Sequence, residues 1–75
     1  PIEDPLVGPE TRLEAGVTCA GGVCLGREVR VGQGTLLKNT VIWDEAWIGP
    51  GLTLENCLIG RQARVTASAR NTIIV

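Results

Sequence analysis

Residues 31–64 read VGQGTL, LKNTV, IWDEAW, IGPGLT, LENCL, IGRQAR when the chain is broken before each aliphatic residue that opens a segment. The first three segments superimpose on the last three. Val31 falls on Ile48, Leu37 on Leu54 and Ile42 on Ile59, and each five-residue segment takes second place in its set. Working outward, aliphatic residues or Cys recur at Val7, Leu13, Cys19, Leu25, Val31, Leu37, Ile42, Ile48, Leu54, Ile59 and Val65, by steps of six with two exceptions of five. Four positions after each stands a small or apolar residue: Thr11, Val17, Val23, Val29, Thr35, Val41, Ala46, Leu52, Leu58, Ala63 and Ala69. An amphipathic helix would repeat at about 3.6 residues and a hairpin sheet at about two, so a sustained step of six fits neither. It fits a three-sided coil whose stacked turns bury the aliphatic positions along an axis. The reading is all-β: a single-stranded parallel β-helix of about three to four coils, one of 18 residues (13–30) and two of 17 (31–47 and 48–64).

Composition agrees with thin, repetitive packing. Seventy-five residues make one domain near the lower size limit of independent stability. With ten Gly, two Trp and no Phe, Tyr or Met, the core must be filled by Val, Leu, Ile, Ala and Cys. Seven basic and eight acidic residues, a net charge of -1, offer no electrostatic footprint for nucleic acid or an anionic membrane. No apolar run approaches the roughly 20 residues of a membrane span and no signal-peptide pattern opens the chain, so it reads as cytoplasmic. Three cysteines, Cys19, Cys24 and Cys57, are an odd number without Cys-x-x-Cys spacing and read as small apolar residues.

Parallel neighbours in stacked coils lie roughly 4.8 Å apart, so residues seventeen apart should touch. Lys38 then lies over Glu55, and Asp44 between Arg27 and Arg61, with opposite charges meeting. Trp47 falls between Arg30 and Arg64, suited to guanidinium stacking. Trp43 falls between Gly26 and Gly60, which leave it room. Asn39 and Asn56 coincide at a corner as a candidate amide ladder that satisfies turn backbone groups.

Each candidate for chemistry competes with a structural role. Gly32-Gln33-Gly34 and Gly49-Pro50-Gly51 lack the strand before and helix after that a phosphate loop needs, and read as corner turns. The cysteines have no His beside them and no metal-ligand spacing. Asp44 and Glu45, as neighbours on a strand, would point to opposite faces, which argues against paired acid-base work. Trp43 and Trp47 on the outside of a coil either cover its wall or mark a contact surface, and are the candidate interface residues. No catalytic, cofactor-binding or metal-ligating residue is assigned.

The stretch NTVIWDEAWIGPGLTLENCLIG, residues 39–60, resembles the C-terminal β-helix of bacterial sugar-1-phosphate nucleotidyltransferases, the mannose-1-phosphate guanylyltransferase-like and glucose-1-phosphate transferase-like groups in particular. Those proteins carry similar Asn-x-Val-Ile-Trp and Asn-Cys-x-Ile-Gly segments in hexapeptide coils. The resemblance covers residues 7–65 loosely and 37–60 closely. It implies a left-handed coil, which the period alone does not decide because parallel crossovers are right-handed in most folds. It also implies a parent enzyme that joins a nucleoside triphosphate to a sugar 1-phosphate with Mg²⁺ assistance. That chemistry belongs to an upstream nucleotidyltransferase domain, which would be this chain's partner, and no cofactor is expected in the coil itself. Acyltransferases of the hexapeptide type use a His base and the carbonic anhydrases bind zinc through three His, whereas this chain has no His. Two function classes remain: an assembly or regulatory domain of a nucleotidyltransferase, or a free-standing scaffolding β-helix.

The opening PIEDPLVGPE reads as a linker over residues 1–6 entering a β-helix domain over 7–75. Residues 65–75 are an irregular final coil. ARNTIIV (69–75) repeats LKNTVIW (37–43) but arrives two residues early, so either Val65 to Ser68 forms a shortened side or the tail leaves the coil. Cut ends of a solenoid expose apolar cross-sections and strand edges, and a homo-oligomer is expected, through the ends or through the Trp wall.

Overall fold

Short apolar pairs between turn residues form very short strands, and only stacking stabilises them. The computed structural model describes residues 5–75. Along these the chain makes β1 (Leu6–Val7), β2 (Arg12–Leu13), β3 (Thr18–Ala20), β4 (Cys24–Leu25), β5 (Arg30–Val31), β6 (Leu36–Lys38), β7 (Val41–Ile42), β8 (Trp47–Ile48), β9 (Thr53–Glu55), β10 (Leu58–Ile59), β11 (Arg64–Val65), β12 (Ala69–Arg70) and β13 (Ile73–Ile74). Every third strand joins the same sheet. The first sheet runs β1-β4-β7-β10-β13, the second β11-β8-β5-β2 and the third β12-β9-β6-β3. All pairings are parallel, and the result is a left-handed β-solenoid of about four turns.

The register matches the repeat. Val31 pairs with Ile48 and Ile48 with Val65, Leu37 with Leu54, and Leu25 with Ile42 and Ile42 with Ile59. All eight of these side chains are buried, in three columns that fill the axis. The hydrogen-bonded strand is shorter than the six-residue side: two or three residues are paired and the rest turn the corner.

One part of the expected pattern is shifted. The second inward position was counted four residues after each aliphatic residue, which names Val41 and Leu58. Both are exposed, and Thr40 and Cys57 are buried instead. The constant distance runs backward from the next aliphatic residue: Val23, Val29, Thr35, Thr40, Ala46, Cys57 and Ala63 each precede it by two and are buried. The five-residue steps delete a residue from the corner before this position, so counting forward across the deletion slips by one and reverses the facing.

Where the inward corner residue is Thr, its hydroxyl joins neighbouring coils. Thr35 Oγ1 donates to Gly49 O at 2.8 Å and accepts from Leu52 N–H at 3.3 Å. Thr11 makes the same pair of bonds at the corner before β2, donating to Gly26 O and accepting from Val29 N–H. Thr40 Oγ1 reaches Lys38 O at 2.9 Å and Leu54 O at 3.2 Å. No buried side-chain polar atom among the described residues is left without a partner, as a core this thin requires.

The corners have a shared backbone signature. Glu10, Glu28, Glu45 and Gln62 have φ near +60° at one corner, and Asn39, Asn56 and Asn71 near +50° at another. Asn suits this left-handed region and Glu does not. At the third corner Gly34 and Gly51 meet the same need. The segments Gly32-Gln33-Gly34 and Gly49-Pro50-Gly51 are therefore turns.

The tail stays in the coil. Ala69 pairs with Leu54 and Ile73 with Leu58, fifteen residues apart, so Val65 to Ser68 forms the shortened side. Ser68 Oγ accepts from Thr53 N–H at 2.9 Å and supplies the bond that the missing backbone would have made. At the start, Leu6 already pairs with Cys24. The expected linker falls largely on residues 1–4, which lie outside the described residues.

Candidate functional site

Because successive strand residues alternate in facing, the position before each buried aliphatic residue points outward, and the three sheets carry different outer columns. On the second sheet that column is Arg12, Arg30, Trp47 and Arg64, in consecutive register. The Arg64 guanidinium lies 4.7 Å from the centroid of the half-buried Trp47 ring, close enough for a cation–π contact. Arg30 is Trp47's register partner on the other side. On the third sheet the outer positions are polar or small apart from the half-buried Leu36, with Lys38 against Glu55.

Trp43 and Trp47 do not share a wall. Trp43 follows β7 of the first sheet, whereas Trp47 lies in β8 of the second, around a corner made by Asp44, Glu45 and Ala46. Gly26 is required for a different reason from making room for the indole. A Cβ there would come within 2.8 Å of Asp44 N and 3.0 Å of the Trp43 carbonyl carbon, so it is backbone approach that excludes a side chain.

The expected charge pairs take another form. Asp44 Oδ1 accepts the Arg27 backbone N–H at 3.0 Å, and Gln62 Nε2 donates to Glu45 Oε1 at 3.3 Å. The one ion pair among the described residues is Arg27 Nε to Glu28 Oε1 at 3.9 Å. Lys38 and Glu55 are in register without forming a pair, since long side chains at the surface gain little by ordering together. Asp44 and Glu45 occupy a turn, so strand alternation does not separate them; Asp44 caps a corner and Glu45 holds its neighbour's amide.

At the asparagine corner, Asn39 Oδ1 accepts from Gly22 N–H at 3.0 Å, and Asn56 Nδ2 donates to Asn71 Oδ1 at 3.1 Å. The column therefore runs Asn39, Asn56, Asn71. Asn71 was legible from the match of ARNTIIV to LKNTVIW but was not named with the other two. The cysteines diverge: Cys57 is buried, its thiol donating to Glu55 O at 3.3 Å, Cys19 is half-buried, and Cys24 is exposed. Of the three small residues, Cys24 stands at an outward position of β4 and belongs to the surface. Burial pushes the Cys19 thiol above its ordinary pKa.

The outer column of the first sheet was not singled out from sequence. It is Leu6, Cys24, Val41, Leu58 and Ile73, all exposed and in unbroken register. Its signal was the apolar residue one place before each aliphatic position on every third side. Among the described residues no group of three or more His, Cys, Asp or Glu is placed to hold a metal ion. Among the described residues no helix is long and apolar enough to cross a membrane. No protein-family model matches the chain, and no solved structure matches it significantly.

Proposed function

We propose that this chain is the non-catalytic C-terminal β-helix domain of a sugar-1-phosphate nucleotidyltransferase and serves assembly or regulation of that enzyme. The observation that supports this reading is the placement of residues 39–60. The stretch that resembles the family forms the middle of the solenoid, with Val41 over Leu58, Ile42 over Ile59 and an asparagine at the corner before each. The parent reaction forms a bond from the sugar phosphate oxygen to the α-phosphorus of a nucleoside triphosphate and releases pyrophosphate. Mg²⁺ and the acidic ligands that hold it belong, in this reading, to an upstream domain.

The test is to express the reading frame that contains residues 7–75 together with what precedes it and to measure pyrophosphate release from nucleoside triphosphates and sugar 1-phosphates. Activity in the long form, and none in the isolated coil, is the expected result. An upstream frame of about 230 to 260 residues, the size of an α/β domain, that holds no Gly-rich phosphate loop and releases no pyrophosphate would sink the proposal. The second reading is a free-standing scaffold: among the described residues the outermost strands of the sheets are β1, β2 and β3 at one end and β11, β12 and β13 at the other. Such edges are templates for further pairing.

A further inference from the structure

We infer that the outer face of the first sheet is a self-association surface, occupied by the same face of a second copy of this chain. It deepens the assembly role above and rests on that part of the reading alone. Leu6 is 73 % exposed, Val41 37 %, Leu58 36 % and Ile73 70 %, and Cys24 stands exposed between Leu6 and Val41. Trp43, 54 % exposed, follows Val41 and Ile42 at the edge of this face. None of these residues is charged. The second sheet differs, with three arginines in its outer column, as does the third, with Lys38 against Glu55.

The face also has the anatomy of an interface. On one side a shallow groove joins Val41, Leu58 and Ile73 to Asn39, Asn56 and Asn71. On the other, beyond Trp43, lie Asp44 and Glu45. An apolar centre thus has a polar border on both sides.

Area and symmetry identify the occupant. Five strands about 4.8 Å apart, on a side of six residues rising about 3.3 Å each, make a face of roughly 500 Å². A contiguous apolar patch of that size is at the upper end of what a monomer leaves uncovered. Pairing two such faces removes about 1,000 Å², which is what a specific contact needs at its lower limit. A flat, uncharged face is complementary to itself, whereas a charged partner would find nothing on it to pair with. Two-fold pairing requires only that one patch fit its own copy. β7 is the middle strand of the five, so in a face-to-face dimer with its two-fold axis at the sheet centre, Val41 meets Val41 of the second copy.

The experiment follows from that central contact. The chain is measured by sedimentation equilibrium at tens of micromolar, beside Val41→Asp, Val41→Lys, their equimolar mixture, and Leu58→Lys, with circular dichroism to establish that each is folded. The expected result is a dimer for the natural chain. Each charged variant should be weakened at least about 100-fold, because like charges meeting in an apolar contact cost several kcal/mol. The mixture should recover a dimer through opposite charges. A natural chain that stays monomeric overturns the inference and leaves the face to another domain or partner. Association that none of the variants changes overturns it in favour of the solenoid ends or the arginine and tryptophan sheet. A mixture that remains monomeric overturns the two-fold placement of Val41. Should the position 41 variants unfold, Leu58→Lys alone decides: an unchanged dimer refutes the face. The readout is mass, so its failure is distinct from a failure to release pyrophosphate.

Discussion

Single residues at the corners carry more of this fold than their exposure suggests. Asn56 sits at φ +53° and its amide donates to Asn71, so it supplies both a tolerated left-handed conformation and a bond between coils. Asn56→Ala keeps neither and is expected to cost about 1–2 kcal/mol, because a left-handed residue then lacks the short polar side chain that offsets its strain. Asn56→Gly keeps the conformation and should cost less. Urea denaturation of the two variants checks this, and equal losses would mean that the amide and not the backbone matters. The cysteines form a second residue-scale test. Exposed Cys24 should alkylate first, Cys19 more slowly because burial raises its pKa and depletes the thiolate, and buried Cys57 last. Mass spectrometry after timed iodoacetamide treatment reads the order. The sign for stability follows from the raised folded-state pKa. The Cys19 contribution is complete below the ordinary thiol pKa and is lost as pH rises from there through the raised folded-state value.

At the scale of the strand, the unit of stability is the inward residue and its column neighbours. Ile48 of β8 is fully buried between Val31 and Val65, and little else can move in to fill its place in so narrow a core. Ile48→Ala should therefore cost about 2–5 kcal/mol, enough to unfold a domain of this size. Glu55, outward on β9, has a register partner in Lys38 but no ion pair, and Glu55→Ala should cost under about 1 kcal/mol. Thermal melts of the two separate inward from outward, and similar losses would contradict the assignment.

Across the whole molecule, a solenoid's stability is close to a sum of coils and the contacts between them. The last coil is the shortened one, held by β12 on β9 and β13 on β10. Removing residues 69–75 would uncover Leu54 and Ile59 and leave β9 and β10 as open edges at the end of the solenoid. The truncated chain is expected to melt at a lower temperature and to aggregate on heating, read by scattering alongside circular dichroism. A truncation that melts as the full chain does would show that the tail contributes no packing.

The order of the side chains along the axis was determined by sequence alone. Val31, Leu37 and Ile42, with their counterparts one coil later, could be assigned inward because an aliphatic residue repeating at a fixed step fills the inside of a stacked coil, whichever its hand. The register of Trp47 with Arg30 and Arg64 followed from the same step. Tertiary structure decided what the step leaves open. Thr40 and Cys57 replaced Val41 and Leu58 inside because a one-residue deletion is absorbed at the corner before the inward position, and a repeat length does not say where a loop shortens. Asp44 turned to a backbone N–H instead of an arginine side chain because the corner brings that donor within 3.0 Å, while exposed ion pairs gain too little to compete. The tail kept its place in the stack through Ser68, which supplies by side chain the acceptor that two missing residues took away. The uncharged face of the first sheet became visible only when Leu6, Cys24, Val41, Leu58 and Ile73 were brought into one column, since residues fifteen to eighteen apart form a surface only after the chain has wound.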